Sequence, residues 1–272
     1  MSLAFPRAKI LRNKKFIKNV KKISRTGRKI ISRIGKASIS YGLINDGDRV
    51  LVGVSGGKDS LTLLTLLSEM RKWTPVKFDL FAVHIKTDFH CGQCVHNEVL
   101  TKIFEELEVP YIFLNIKVLD ENNKTNCFWC SWNRRKAIFT LADEIGYNKI
   151  AFGHHKDDIV ETILMNLLYN GEISTMNPKQ ELFEGRLTII RPLCYVEEEM
   201  IKTFVKEHGL PEQFCKCPFG KDSRRKYIKN FLTETQKITK RANIKTNIFN
   251  SLSRIKEDYI DLRKYKEYRG KE

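Results

Sequence analysis

The residues best equipped for chemistry lie in three short stretches: Ser55-Gly56-Gly57-Lys58-Asp59-Ser60, Cys127-Phe-Trp-Cys130 and His154-His155-Lys156-Asp157-Asp158. In the first, Gly56 and Gly57 let the backbone approach an anion closely and reach positive φ. Lys58 adds a point charge for phosphate oxygens. The helix predicted to open near Asp59 turns unpaired N–H groups and a positive dipole end toward the same place. The spacing fits neither Gly-x-x-x-x-Gly-Lys-Ser/Thr nor Gly-x-Gly-x-x-Gly, so this is a phosphate loop of another kind. Lys58 is placed in the polar loop, where Lys58→Ala should leave the fold intact. Asp157 and Asp158 open a helix; Asp158-x-x-Glu161 has the spacing of a capping box, and paired carboxylates beside phosphates also suit Mg2+. Cys127 and Cys130 have the spacing of a metal or redox pair, or are buried structural thiols. Cys217 is a candidate third ligand, and three thiolates leave one iron of a cubane without a protein ligand. Cys215, two residues earlier, competes for that role. Cys91-Gly-Gln-Cys94 is a second pair, suited to a sulfur relay, an oxidised pair or half of a four-cysteine zinc site with Cys127 and Cys130.

These stretches need elements to hold them. Short β-branched runs read as strands at residues 49–55, 78–85, 111–118, 149–153 and 187–191. Helical spacing occupies residues 61–71, 95–107, 133–145, 157–168, 197–207, 223–239 and 244–268, with Cys127 and Cys130 on a loop before the third of these. Strands alternating with helices imply an α/β fold with a parallel, doubly wound sheet. Ligands of such sheets sit at the carboxyl ends of the strands, and each reactive stretch follows one. Connectivity therefore brings phosphate loop, thiols and carboxylates to one rim. The predicted organisation is a basic amphipathic helical extension over 1–45, an ATP-binding core over 46–195 and a helical region over 196–272.

The chain of 272 residues is 42% hydrophobic and carries a net charge of +17. Residues 1–36 hold 13 Lys and Arg and no acid, with apolar positions at helical spacing broken by Gly27. Nine more cations lie between Lys221 and Lys245, against Asp222 and Glu234. Such basic faces favour nucleic acid over a membrane surface. No apolar run spans a membrane and no signal peptide is evident. Seven cysteines, an odd number with local pairing, fit reduced thiols in a cytoplasmic protein.

Ser-Gly-Gly-Lys-Asp-Ser resembles the signature of the PP-loop ATPases, which split ATP between the α and β phosphates. The ordered set is similar to the tRNA 2-thiocytidine synthetases: Asp46-Gly-Asp-Arg-Val50 leading into the loop, Cys127-x-x-Cys130 before Arg134-Arg135, Gly153-His-His-Lys-Asp-Asp158, Arg191-Pro-Leu193, Cys217-Pro218 and Asn247-Ile-Phe249. That resemblance covers roughly residues 20–255 and is far more specific than any single motif. It implies ATP, Mg2+ and a [4Fe-4S] cluster held by Cys127, Cys130 and Cys217. The nucleotide-binding set it implies is Ser55 to Ser60 with His84 and Gly153; Lys58, Asp59, Arg134, Asp157 and Asp158 form the catalytic set, the last two also binding Mg2+. The implied substrate is an anticodon-loop cytidine at position 32 of tRNA, thiolated at C2 after adenylation, with a cysteine desulfurase or another sulfur donor as partner. A homodimer stays open. The Cys91–Cys94 pair departs from the family pattern. A tRNA 2-thiouridine synthetase, a lysidine synthetase and a non-catalytic zinc-stabilised RNA-binding module remain as alternatives.

Overall fold

Val50, Leu51 and Val52 are completely buried because strand β1 (Asp48–Gly53) has a parallel neighbour on each edge and helices over both faces. The computed structural model describes residues 23–89, 97–211, 223–239 and 241–256. Among these, β1 joins β2 (Phe78–Thr87), β3 (Tyr111–Ile116), β4 (Lys149–Ala151), β5 (Lys179–Leu182) and β6 (Leu187–Ile190) in one sheet ordered β3-β2-β1-β4-β6-β5. Registers such as Val52 opposite Ala82 and Ala151 align the carboxyl ends of the three central strands. This is the doubly wound α/β sheet that the alternating pattern predicts. The order reverses between β1 and β4, and there a crevice opens between the loops that leave the two strands.

Helices α2 (Lys58–Trp73) and α3 (Asn97–Glu106) connect β1, β2 and β3. Leaving β3, the chain crosses back over β2 and β1, so right-handed connection places α4 (Cys127–Glu144) on the opposite face. Ile138, Leu141 and Ala142 of α4 pack there with Leu51, Val83, Leu114 and Ile150 of the strands. Helix α2 is apolar nearly all round, from Leu61 to Leu67, because the sheet lies on one side and α1 (Arg25–Tyr41) and α6 (Glu198–His208) on the other.

Four features differ from the expectations. Gly27 does not break the first helix. It lies inside α1, where a Cβ would meet Phe204 Cε2 at 2.9 Å, so its missing side chain lets α1 close on α6. Cys127 and Cys130 are not on a loop: α4 starts at Cys127, capped by Asn126, whose side chain accepts the Trp129 N–H at 2.8 Å. Strand β5 is additional. It pairs antiparallel with β6 through a turn whose residues Phe183, Glu184 and Gly185 have positive φ. Finally, α8 (Ile244–Ser251) stops well before residue 268. Ser251 and Ser253 hydroxyls donate to carbonyls three residues back, competing with helical bonds. Cys91, Cys94, Cys215, Cys217 and residues 1–22 lie outside the described residues.

The described residues fall into two compact units, one within Met1–Asp158 and Met176–Asp222, the other within Ile159–Thr175 and Ser223–Glu272. The boundary falls inside α5 (Lys156–Met165), which continues as a π-helical turn over Asn166–Asn170. In the second unit Val160 and Leu164 pack with Ile228 and Leu232 of α7 (Ser223–Ile238), and Ile244 and Ile248 of α8 close the cluster. Arg224, Lys226 and Lys229 of α7 are exposed.

One contact fixes the crevice. A Cβ on Gly153 would lie 2.9 Å from Asp59 C and from Ser60 N, so the segment after β4 abuts the backbone of the first turn of α2. Gly153→Ala is expected to destabilise the first unit by about 1–3 kcal/mol, the range for overpacking, because backbone on both sides must move. Gly27→Ala should cost less, since the ends of Ile23 and Phe204 side chains can yield. Denaturant unfolding of both variants checks the order.

Candidate functional site

The phosphate loop folds as its glycines require. Gly56 has φ of 85°, and Gly57 is the N-cap of α2 with extended backbone. The Ser60 hydroxyl donates to Gly57 O at 3.0 Å and accepts the Ser55 N–H at 3.2 Å, so one side chain ties the two ends of the loop. Helix geometry leaves the first-turn N–H groups of α2 without acceptors inside the helix, directed toward the crevice between β1 and β4.

Lys58 sits differently from the sequence expectation. It is the first residue of α2 and only 8% exposed. Its ammonium lies 3.0 Å from Asp59 Oδ1 and 3.2 Å from Glu198 Oε1. Burial alone would depress the pKa of Lys58, but the Asp59 and Glu198 carboxylates together outweigh it and hold the pKa above the ordinary lysine value. Glu198 escapes sequence reading because a glutamate in a first helical turn looks like an ordinary dipole partner.

Asp157 and Asp158 also have structural partners. Asp157, 3% exposed, accepts the Glu198 N–H at 2.8 Å and so caps α6 from the start of α5. Asp158 Oδ2 accepts the His155 N–H at 3.0 Å. That is a capping box with Asp158 as the returning arm, three residues out of step with the Asp158-x-x-Glu161 box expected. His155 is buried, with Asp59, Asp157 and Asp158 carboxylate oxygens at 3.6, 3.8 and 3.4 Å from its ring nitrogens. Asp157 and Asp158 stand side by side at the start of α5, and one or two carboxylates are what Mg2+ beside phosphates takes from a protein.

His84 lies at the end of β2, 7% exposed, with Nδ1 2.7 Å from Val54 O. Burial pushes its pKa down; the bond to Val54 O opposes this, and the nearby Arg134 and Lys86 charges reinforce the fall. The ring is therefore neutral and donates from Nδ1, fixing the strand end from which the phosphate loop springs. A ligand can reach only its other nitrogen.

A cavity of about 960 Å³ runs from Gly53, Val54 and Ser55 along α4, past His154. Arg134, Arg135 and Arg191 line it. The Nε atoms of Arg134 and Arg191 are buried without a hydrogen-bond partner. Desolvation, with Arg135 repelling, pushes the Arg191 pKa down to about 10, which still leaves it charged at neutral pH. Arg134, Arg135 and Arg191 together offer charged donors suited to an anion. Arg191 enters the sequence reading only through its Arg-Pro-Leu motif; its place at the end of a strand is the signal that could have singled it out.

Cys127 and Cys130 occupy the first turn of α4, the former exposed, the latter half-buried. Spacing of three places both thiols on one side of the helix. Cys194, by contrast, is completely buried with its thiol pushed up to about 12 by desolvation, so it is inert. The site thus joins a phosphate loop, carboxylates, an arginine wall and paired thiols at the carboxyl ends of a switched parallel sheet. A family model for the PP-loop domain matches residues 24–235.

The chain belongs to the PP-loop family. It is 36% identical over 241 residues to the tRNA-cytidine(32) 2-sulfurtransferase of Geobacter sulfurreducens, covering 86% of this chain and 92% of that protein. The enzyme of the same name from Anaeromyxobacter dehalogenans is 36% identical over 89% of this chain and 84% of its own length. Among solved structures, the U34-tRNA thiolase NcsA from Methanococcus maripaludis with its [4Fe-4S] cluster superposes with a TM-score of 0.68 at 22% identity, covering 85% of this chain and 80% of that one. That likeness is one of fold.

Two outcomes follow from the ion pairs and the histidine. Lys58→Ala removes the 3.2 Å partner of the Glu198 carboxylate, 12% exposed, and leaves it the longer 3.9 Å contact to Lys202; breaking a buried pair costs up to about 3–5 kcal/mol. Lys58→Ala with Glu198→Ala should therefore be more stable than Lys58→Ala alone, contrary to the sequence expectation that Lys58→Ala is structurally silent; a double-mutant cycle in denaturant measures this. For His84, the folded pKa is depressed, so the unfolded chain takes up the proton first as pH falls through the ordinary value of about 6.5. Its contribution is complete above that pH and fades below it. His84→Gln should flatten the decline of thermal midpoint between pH 7 and pH 5.

Proposed function

We propose that this chain is an ATP-dependent tRNA sulfurtransferase that converts an anticodon-loop cytidine, at position 32, to 2-thiocytidine. The observation that carries this reading is the meeting, on one rim of one unit, of a non-Walker phosphate loop with a Cys-x-x-Cys pair on a helix N-terminus. Relatives at 36% identity, named as cytidine(32) 2-sulfurtransferases, support cytidine over uridine as the target.

The loop N–H groups, the α2 dipole and Lys58 hold the ATP phosphates; Asp157 or Asp158 would hold Mg2+, which would offset charge on the leaving pyrophosphate. The target base leaves its stack to reach the rim. Its C2 oxygen attacks the α phosphorus and pyrophosphate departs, so that oxygen becomes part of an AMP ester. Hydrosulfide then bonds to C2 and the C2–O bond breaks, so AMP leaves with the oxygen; sulfur delivered as a persulfide is first cut to that level by two electrons from a thiol reductant, which becomes a disulfide. Arg134 and Arg191 stabilise phosphate charge as it shifts in both steps. Cys127, Cys130 and Cys217 would hold a [4Fe-4S] cluster, which would supply an iron without a protein ligand as a place to carry sulfur. Basic residues of the N-terminal segment and of α7 contact the tRNA backbone. A cysteine desulfurase or other sulfur donor completes the reaction in the cytoplasm.

With tRNA and a sulfur source under anaerobic conditions, ATP should yield AMP and pyrophosphate, and digested tRNA should contain 2-thiocytidine by mass analysis; ADP and phosphate as products overturn the assignment. About four irons per chain should bind. Ser substitutions at Cys127, Cys130 or Cys217 should each abolish iron absorbance and thiolation, whereas Cys91, Cys94 and Cys215 variants keep both. Stoichiometric zinc released by Cys91→Ser or Cys94→Ser would establish the four-cysteine zinc site instead.

A further inference from the structure

Helix α4 carries two tryptophans beside its cysteines, in neither of the roles described above. Trp129 and Trp132 have ring centroids 5.7 Å apart and planes within 12° of parallel. They are 46% and 45% exposed, and Phe128 beside them is 75% exposed. Lys136 Nζ lies 5.2 Å from the Trp132 ring centroid. Positions 129, 132 and 136 form one row along the helix. Trp132 is thus covered on one side by Trp129 and on the other by the ammonium. Trp129 ends the row, and Trp132 is its ring partner among the described residues.

Packing does not account for this row. The core beneath α4 takes Ile138, Leu141 and Ala142 from further along the helix. Leaving two indoles at the surface forgoes the burial that large aromatics supply, so the open row points to an occupant from solution. Its charge surroundings identify the occupant. From Cys127 to Leu141, α4 contains Arg134, Arg135 and Lys136 and no acid. An apolar peptide would cover the rings but leave these cations without counter-charge. An unpaired nucleobase offers a flat π face for Trp129 and phosphates for Arg135 and Lys136, both exposed and three and four residues beyond Trp132, the combination by which single-stranded nucleic acid is held.

We propose that Trp129 and Trp132 form a stacking platform for an unpaired base of the RNA substrate, a loop nucleotide adjacent to the reacting cytidine. Only the word adjacent rests on the tRNA sulfurtransferase reading; the platform for an unpaired base rests on α4 itself. Stacking there holds the loop open by extending a ready-made pile of rings, so the reacting base leaves the RNA stack while its neighbour gains a replacement partner.

The test uses the full-length, iron-loaded protein and an anticodon stem-loop RNA with cytidine at position 32. Trp129→Ala should weaken RNA affinity by roughly 5- to 100-fold, as loss of one base–aromatic stack does, and raise KM correspondingly with kcat within about twofold. Trp129→Phe should restore most of the affinity, and iron content should be unchanged in both. An RNA with an abasic residue at position 31 or 33 should bind the wild type and Trp129→Ala alike at one of the two positions. Wild-type tryptophan fluorescence should be quenched by the intact RNA and less by that abasic RNA. Equal affinity of Trp129→Ala and wild type with iron retained overturns the platform, as does loss of affinity that Phe does not restore. If the wild type makes no 2-thiocytidine, the sulfurtransferase reading fails, while the affinity and fluorescence series still decides for or against the platform.

Discussion

Three helix N-termini meet at one point, and the rest of the first unit is arranged to tolerate that. Helices α2, α5 and α6 begin at Lys58, Lys156 and Glu198. Each contributes about half a positive charge at its end, and Lys58 and Lys156 add full charges among side chains that are largely buried. Left alone, these ends repel. Acids in their first turns reverse the sign: Glu198 reaches Lys58 across helices, Asp157 accepts the Glu198 N–H, and Glu197 meets Lys156 at 3.3 Å. Asp59 stands beside both Lys58 and His155. The carboxylates that a sequence reader assigns to cations and catalysis are therefore also what holds the helices together.

That double duty explains why chemistry and architecture cannot be separated here by single substitutions. Gly153 shows the same coupling in backbone form. It belongs to the family motif, yet its immediate role is to admit the first turn of α2 at contact distance. The phosphate loop is positioned from below by His84 on Val54 O and from the side by Gly153. Neither needs to touch a nucleotide to be indispensable to its binding.

The sheet was legible from sequence because buried parallel strands are β-branched runs, and the helices between them keep their apolar spacing. Legibility ended where a residue's role depends on a partner far along the chain. Glu198 is 140 positions from Lys58. Lys179-Gln-Glu-Leu182 is too polar to announce itself as a strand, which is what an edge strand should be. Gly27 read as a break because close helix contact leaves no periodic trace. The start of α4 was recoverable: Asn126 is a favoured cap, but the cysteines after it invite a loop reading. The rim, conversely, needed no distances, since strand direction alone assigns loops to it.

The occupied state of Lys58 has a further consequence. Its ammonium already has two anions, tethered at an effective concentration far above that of solutes around the protein. A newcomer must outcompete carboxylates that cannot diffuse away. Chloride or a monophosphate engages few of these donors at a time, whereas a triphosphate is long enough to bring several oxygens to the loop, the helix end and the lysine at once. The tethered acids thus act as a threshold: they keep the crevice closed to small anions and yield only to a ligand that engages the whole loop.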